Sequence, residues 1–381
     1  LTIRANKQAD ESQMTKRQPA TTGKSRSGLA LVMEGTVRIA PLQAIPQLLG
    51  EMGQEPAKAV AEAGLDLPMF DDPESTLYVA EAGRLLGVCV ARTGCEHFGL
   101  LVGQRAGIES LGVVGLLMLQ APDVGAALRD VVLHLQVHDR GAVPTLVAED
   151  GMVELGYAVY QKGVVNTGNI YDIAMAIALN LMKSLCGAEW LPSQVLFRHS
   201  EPADRDPYRR FFKVPLRFNC DHSAPVFPAA CLGHPVIGAN PVLRRIIEAE
   251  IEGLMERIDM DFVAQLRRVL CGPVITSHAT AEQTAFLFGI HRRTLNRRLN
   301  AKGTSFQQLL DEARCEIAQQ LLRSTQMPIV DVSAALGYAD NSVFTRAFRR
   351  WAGTTPAAWR AETTGQGATG RAAEEGSRAA E

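Results

Sequence analysis

The chain lacks any apolar run approaching the roughly 18 residues that a membrane-spanning helix needs. It lacks a C-x-x-C pair as well. Its seven cysteines (Cys89, Cys95, Cys186, Cys220, Cys231, Cys271 and Cys315) are scattered and odd in number, which argues against a disulfide framework or a structural zinc site. That usage fits a reducing cytoplasm. Gly99, Gly103, Gly107, Gly112 and Gly115 form neither G-x-G-x-x-G nor a P-loop, and there is no G-x-S-x-G, so helix packing and turns are the expected reading of those glycines and no cofactor is expected. A net charge of −2 excludes generic binding of polyanions by the whole molecule. The first 28 residues are polar and basic without an apolar core for export. Residues 1–30 and 363–381 are expected to be disordered tails. What is present is an ordinary globular composition, 46% hydrophobic and 21% charged over 381 residues, enough for two or three domains.

The most informative stretch lies between Thr280 and Arg360. Thr280 with Gln283 three residues on reads as a capping-box start. Ala281, Ala285 and Phe288 form one face of a short helix, and Gly289 provides a turn. A second helix from His291 to about Ala301 turns Leu295 and Leu299 inward and Arg293, Asn296, Arg297 and Asn300 outward. His291–Lys302 holds five basic residues and no acidic one. Arginine and asparagine are the side chains that pair bidentately with guanine and adenine edges in the major groove.

The pattern recurs. Ile329, Val332 and Leu336 space a short helix that ends at Gly337, and Asp340 can cap the next. There Phe344, Ala347, Phe348 and Trp351 form the apolar stripe, while Asn341, Ser342, Thr345, Arg346 and Arg349 occupy the leading turn and far side. Between the units, Phe306–Ser324 carries apolar residues at helical spacing. A helix of that length spans about 28 Å, and major grooves recur about every 34 Å on one face of DNA. The connector is therefore expected to hold both recognition helices in adjacent grooves.

These residues resemble the DNA-binding domain of AraC/XylS-type transcription regulators over nearly all of 260–360. The likeness rests on Ala285, Gly289, Arg293-Thr294-Leu295, Arg297-Arg298-Leu299, Gly303-Thr304-Ser305-Phe306, Arg314, Ala318, Leu321-Leu322, Gly337-Tyr338 and Arg346–Trp351, among others. The resemblance implies base contacts from Arg293, Asn296, Arg297, Asn341, Ser342, Thr345 and Arg346. Arg292, Arg298, Lys302, Arg349 and Arg350 are expected to hold phosphates. Two departures stand out: His291 replaces the usual serine cap, and Ser333 replaces a small apolar residue and needs a buried partner.

Upstream, residues 40–140 read mainly as helices interrupted by loops at 64–73 and 107–112. Two strands then flank Asp150-Gly151, a hairpin signal. A helix from Ile170 to Cys186 has an almost wholly apolar centre, Ile173 to Leu181, and strands and short helices alternate as far as residue 227. This order suits an α+β domain at 37–240, a connecting helix at 241–260, and an all-α domain with two tandem helix-turn-helix units at 261–362. It does not suit the all-β sugar-pocket domain of some AraC-type proteins. His97–Leu100 with Gly103, Leu111–Gly115, Tyr208 with Phe211-Phe212, Val214–Phe218 and Leu232 instead resemble the longer, arabinose-binding-domain-like sensor of one branch. That implies a small-molecule effector of unnamed identity, a homodimer, and activation through RNA polymerase as the commoner output.

Tyr157, Tyr160, Asn169, Tyr171, Arg198 and His199 gather polar groups around the hairpin and the apolar helix, as a ligand pocket or as a hydrogen-bonded core edge. His134 and His138 sit one helical turn apart beside Asp139, but no third metal ligand is evident, and a helix end is the expected reading. The Leu243–Ile258 stripe reads equally as a dimer seam or as core packing. Two other functions share the DNA-binding signature: a ligand-free architectural binder and an alkyl-transfer DNA repair protein. The scattered cysteines argue against the second.

Overall fold

The computed structural model describes residues 35–362 apart from 160, 162–163, 259–260, 276–278 and 325–326. Both expected tails lie outside the described residues. Among the described residues no single helix is long and apolar enough to cross a membrane.

The first hundred described residues are mostly helical: α1 (Ile45–Glu51), α2 (Pro56–Glu62), α3 (Val79–Thr93), α4 (Phe98–Gln104), α5 (Gly112–Leu119) and α6 (Val124–His134). The proline in the first turn of α1 and of α2 sits where its missing N–H costs least. Sequence periodicity assigned no helix at α5. Its run GVVGLLML is apolar on every side, so no stripe stands out, and only burial between neighbours explains it. A small antiparallel pair, β1 (Thr36–Arg38) and β2 (Thr76–Tyr78), also went unread, because three-residue strands are too short to register a period of two.

The main sheet follows. β3 (Ala142–Glu149) and β4 (Met152–Val159) form the expected hairpin, with Asp150 and Gly151 at φ 50° and 76°. Positive φ at both central residues is what a tight primed turn requires. β5 (Gln194–Leu196), β6 (Leu216–Arg217) and β7 (Ala224–Pro228) complete a sheet of order β3-β4-β7-β5-β6, in which β5 and β6 pair parallel and the other neighbours antiparallel. α7 (Thr167–Cys186) is buried along most of its length, as its apolar centre predicts. It crosses α4 at close range. A Cβ at Gly99 would stand 2.2 Å from the Asn169 carbonyl oxygen, and one at Gly103 would stand 2.7 Å from that of Ile173. Only glycine permits this approach. α8 (Asp206–Phe212) places Tyr208 and Phe212 in an aromatic cluster around Phe197.

From α9 (Pro241–Arg257) onward the described chain is helical: α10 (Phe262–Ile275), α11 (Ala281–Leu287), α12 (Arg292–Ala301), α13 (Phe306–Ser324), α14 (Ile329–Ala335) and α15 (Asn341–Ala352). Asn240 caps α9, its Oδ1 accepting from the backbone N–H of Val242 at 2.9 Å and of Leu243 at 3.2 Å. Ile247, Ile251 and Leu254 of the α9 stripe are buried within the chain itself, and Arg244 clamps the helix to Asp130 at 2.8 and 3.1 Å. Core packing therefore accounts for that part of the stripe. α13 is the spine of the last unit. Leu309, Ala313, Ala318 and Leu322 are buried along it, against α10, α14 and α15.

Candidate nucleic-acid interface and effector cavity

Local capping builds both helix-turn-helix units. Thr280 Oγ1 accepts from the Gln283 N–H at 3.1 Å. The reciprocal half of the expected capping box is not made, and Gln283 Oε1 has no partner among the described residues. Gly289, at φ 61°, turns the chain into α12. His291 does the work of the serine it replaces, because its Nδ1 accepts from the Arg293 N–H at 3.2 Å. In the second unit Gly337 turns at φ 77°. The Asp340 carboxylate then accepts from the Ser342 N–H at 2.7 Å and also from the Ser342 hydroxyl. Ser333 is 2% exposed, and its hydroxyl has no partner among the described residues.

These anchors turn Leu295 and Leu299 of α12, and Phe344, Ala347 and Phe348 of α15, into one core. The opposite faces are open. Arg293, Asn296, Arg297, Ser342 and Arg346 are exposed, while Asn341 and Thr345 are half-buried. The cations divide into two groups. Arg292 pairs with Glu282 at 2.5 Å, Lys302 with Asp261 at 3.5 Å and Arg350 with Asp311 at 2.7 Å; Arg298 lies over the Phe262 ring at 5.4 Å. Arg293, Arg297, Arg346 and Arg349 enter no ion pair among the described residues. Exposed pairs are worth at most about 1 kcal/mol each, so a phosphate can displace them at little cost.

In the N-terminal part, a cavity of about 130 Å³ lies between α3, α6, α7 and the β3–β4 hairpin. An apolar cavity of about this size in another protein stays dry and binds benzene. Strand alternation makes the hairpin a shared wall. Pro144, Leu155 and Tyr157 line the cavity. Val143 and Ala158 turn to the other side, into the core formed by Leu266, Leu270, Cys271 and Val274 of α10. Thr145 lies there too, its Cγ2 2.5 Å from where a Cβ on Gly272 would be. Polar contacts join the same parts: Gln265 Nε2 donates to the Leu133 carbonyl at 2.9 Å, and Arg268 Nη2 to that of Asp139 at 3.4 Å.

One corner of the cavity is polar. Arg38 Nη1 donates to His138 Nδ1 at 2.5 Å, and the same guanidinium pairs with Glu74. Burial, followed by the charge of Arg38, holds the His138 pKa down at about 3, so the ring is neutral. Burial also lowers His134 to about 4. Asp139 is enclosed, and burial raises its pKa despite the Tyr157 hydroxyl and the Gly141 and Ala142 N–H groups that donate to it.

Of the six residues expected around an effector, Tyr157 lines this cavity. Tyr157, Tyr171 and Arg198 line a separate, much smaller hollow of about 10 Å³. Asn169 ties α7 to α4, its Oδ1 accepting from the Gly99 N–H at 2.7 Å. His199 Nε2 lies 2.9 Å from the buried Asp172 carboxylate, to which the Tyr208 hydroxyl donates at 2.7 Å. Tyr160 lies outside the described residues. Arg38, His138 and Asp139 were not foreseen as cavity residues. The only sequence signal was the His134/His138/Asp139 cluster, and Arg38 stands 100 positions away from His138.

Comparison with known proteins bears on both parts. Residues 53–236 match the family described as the arabinose-binding domain of AraC transcription regulator, N-terminal, and residues 285–362 match a helix-turn-helix domain. An ornithine utilization regulator of Pseudomonas aeruginosa is 27% identical over 328 residues, covering 85% of this chain and 96% of its own length. The HTH-type transcriptional regulator VirS of Mycobacterium tuberculosis is 26% identical over 337 residues, with the same coverages of 85% and 96%. Among solved structures, the transcriptional regulator CdpR of Pseudomonas aeruginosa is similar at 21% identity and a TM-score of 0.42, over 80% of this chain and 95% of that one. With an α+β N-terminal part, two helix-turn-helix units and a match to both domain families, the chain belongs to the AraC/XylS family of DNA-binding transcription regulators.

Proposed function

We propose that this regulator is an effector-responsive activator that works by binding rather than catalysis. In this reading it acts in the cytoplasm as a homodimer and engages RNA polymerase at its promoters. The sensor spans 37–240, α9 connects, and 261–362 reads an operator through two adjacent major grooves. Arg293, Asn296, Arg297, Asn341, Ser342, Thr345 and Arg346 contact base edges; Arg292, Arg298, Lys302, Arg349 and Arg350 hold phosphates. The observation that carries the effector response is the β3–β4 hairpin, one face of which lines the cavity while the other packs on α10. An architectural binder needs no such cavity behind its DNA-binding helices. Self-association is supported by the start of α9, where Val242, Leu243 and Ile246 are 57%, 42% and 62% exposed, while Ile247, Ile251 and Leu254 are buried.

Genome-wide mapping of bound DNA tests this reading. Expected is a small set of sites that share two half-motifs about one helical turn apart. Binding spread evenly over the genome would count against an operator-specific regulator.

A further inference from the structure

The cavity has a chemical character that narrows its guest, granted the reading of it as the effector site. Of the 24 residues that line it, only Arg38, Ser110, His138, Asp139 and Tyr157 carry polar side-chain atoms. Most of those atoms are already engaged. Ser110 donates to the Gly107 carbonyl at 2.6 Å, the Tyr157 hydroxyl donates to Asp139, and His138 Nδ1 accepts from Arg38. Asp139 Oδ1 also takes the N–H groups of Gly141 and Ala142 at 2.8 and 3.1 Å. The exception is Arg38 Nε, which has no hydrogen-bond partner among the described residues, on a side chain only 2% exposed. An unpaired buried N–H is costly and is satisfied by any acceptor delivered to it.

We infer that the effector is a compact, mainly apolar molecule with a single acceptor group, such as a carboxylate or carbonyl, that meets Arg38, and that it is not a sugar, polyol or amino acid. A sugar presents a hydroxyl on nearly every carbon. In this cavity most of those hydroxyls would leave water without gaining a partner. An amino acid would also bring an ammonium group, and the one carboxylate in the wall, Asp139, already accepts three hydrogen bonds. An alkyl or aromatic body, in contrast, gains by leaving water along walls such as Ile170, Ile173, Ile177 and Leu181. The arabinose in the description of the matching domain family is thus a poor guest for this chain.

The test is thermal unfolding of the full chain with octanoate, benzoate, L-arabinose or L-ornithine, each titrated to millimolar concentration. Octanoate and benzoate are expected to raise Tm with a saturable dependence on concentration, and arabinose and ornithine to leave it unchanged. Octanol, which keeps the chain but weakens the acceptor, should bind at least tenfold less tightly than octanoate. Ala178→Phe fills the cavity and should abolish the octanoate shift, with far-UV circular dichroism reporting its fold; the comparison of ligands on the unaltered chain decides the matter if that variant does not fold. A shift with arabinose or ornithine alone, or with none of the four, overturns the inference. Operator binding measured on the same preparation separates the two readings. If operator binding is intact while octanoate and benzoate do nothing, the ligand class falls and the DNA-binding regulator stands. If octanoate binds but no operator is found, the reverse holds.

Discussion

Among the described residues Arg293, Arg297, Arg346 and Arg349 enter no ion pair, while Arg292, Lys302 and Arg350 each have a carboxylate partner. A cation paired with a carboxylate can exchange that anion for a phosphate, and an exposed unpaired one is free to reach a base edge. Arg297→Ala is therefore expected to cost about 1–3 kcal/mol at the cognate operator and to relax the preference at one base pair, measured by fluorescence anisotropy. Arg350→Ala should instead weaken operator and random DNA alike and shallow the salt dependence. Buried single groups also leave a thermodynamic signature. Ser333→Ala removes a buried hydroxyl that has no partner among the described residues and should stabilise the fold by about 1 kcal/mol, seen as a higher urea midpoint. His138 titrates at about 3 in the fold, against about 6.5 in the unfolded chain. Between those values the unfolded chain takes up a proton that the fold refuses, so stability is lost as pH falls from about 6.5. His134, held at about 4, adds to this loss, and Asp139, with its raised pKa, opposes it only in the acid range above its ordinary value. Urea midpoints should drop between pH 7 and pH 5, and His138→Gln should flatten that slope.

At the level of elements, the recognition helices are positioned by short-range devices. Thr280, His291 and Asp340 cap three helices with side-chain acceptors. Thr280→Ala should cost about 1 kcal/mol of stability by urea titration. Such devices lie within a few residues of one another, which is why both units, their caps and the outward Arg/Asn faces were legible without coordinates. The hairpin was legible for the same reason, since Asp150-Gly151 carries its own turn chemistry. What stayed hidden depends on distant partners. α5 shows no apolar stripe because every side of it is apolar, and β1 and β2 find each other across nearly 40 residues. The polar corner of the cavity joins Arg38 to His138, a pairing that no local spacing announces. His199 and Asn169 read equally as pocket lining or as a hydrogen-bonded core edge, because polar groups near an apolar helix suit both; in the fold they meet Asp172 and the Gly99 N–H.

For the whole molecule the question is how a filled cavity reaches DNA. The hairpin lines the cavity and packs on α10, where a Cβ on Gly272 would stand 2.5 Å from Thr145 Cγ2. Gly272→Ala would press a methyl group against Thr145 while suiting the helix itself. The expected outcome is a regulator that still binds its operator but whose affinity no longer changes with effector, read by anisotropy with and without ligand. Unchanged coupling in that variant would mean that the signal takes another route.

The close crossing of α4 and α7 at Gly99 and Gly103 sets the direction of that signal. Backbone against backbone leaves no slack, so the side of the chamber formed by α7 is a fixed abutment. A guest that needs more room must take it from the far side, the β3–β4 ribbon of the five-stranded sheet, whose other face packs on α10. Guest size is thereby expected to become displacement of that ribbon toward α10. A homologous series of guests should accordingly give a graded response that stops abruptly once the ribbon can move no further.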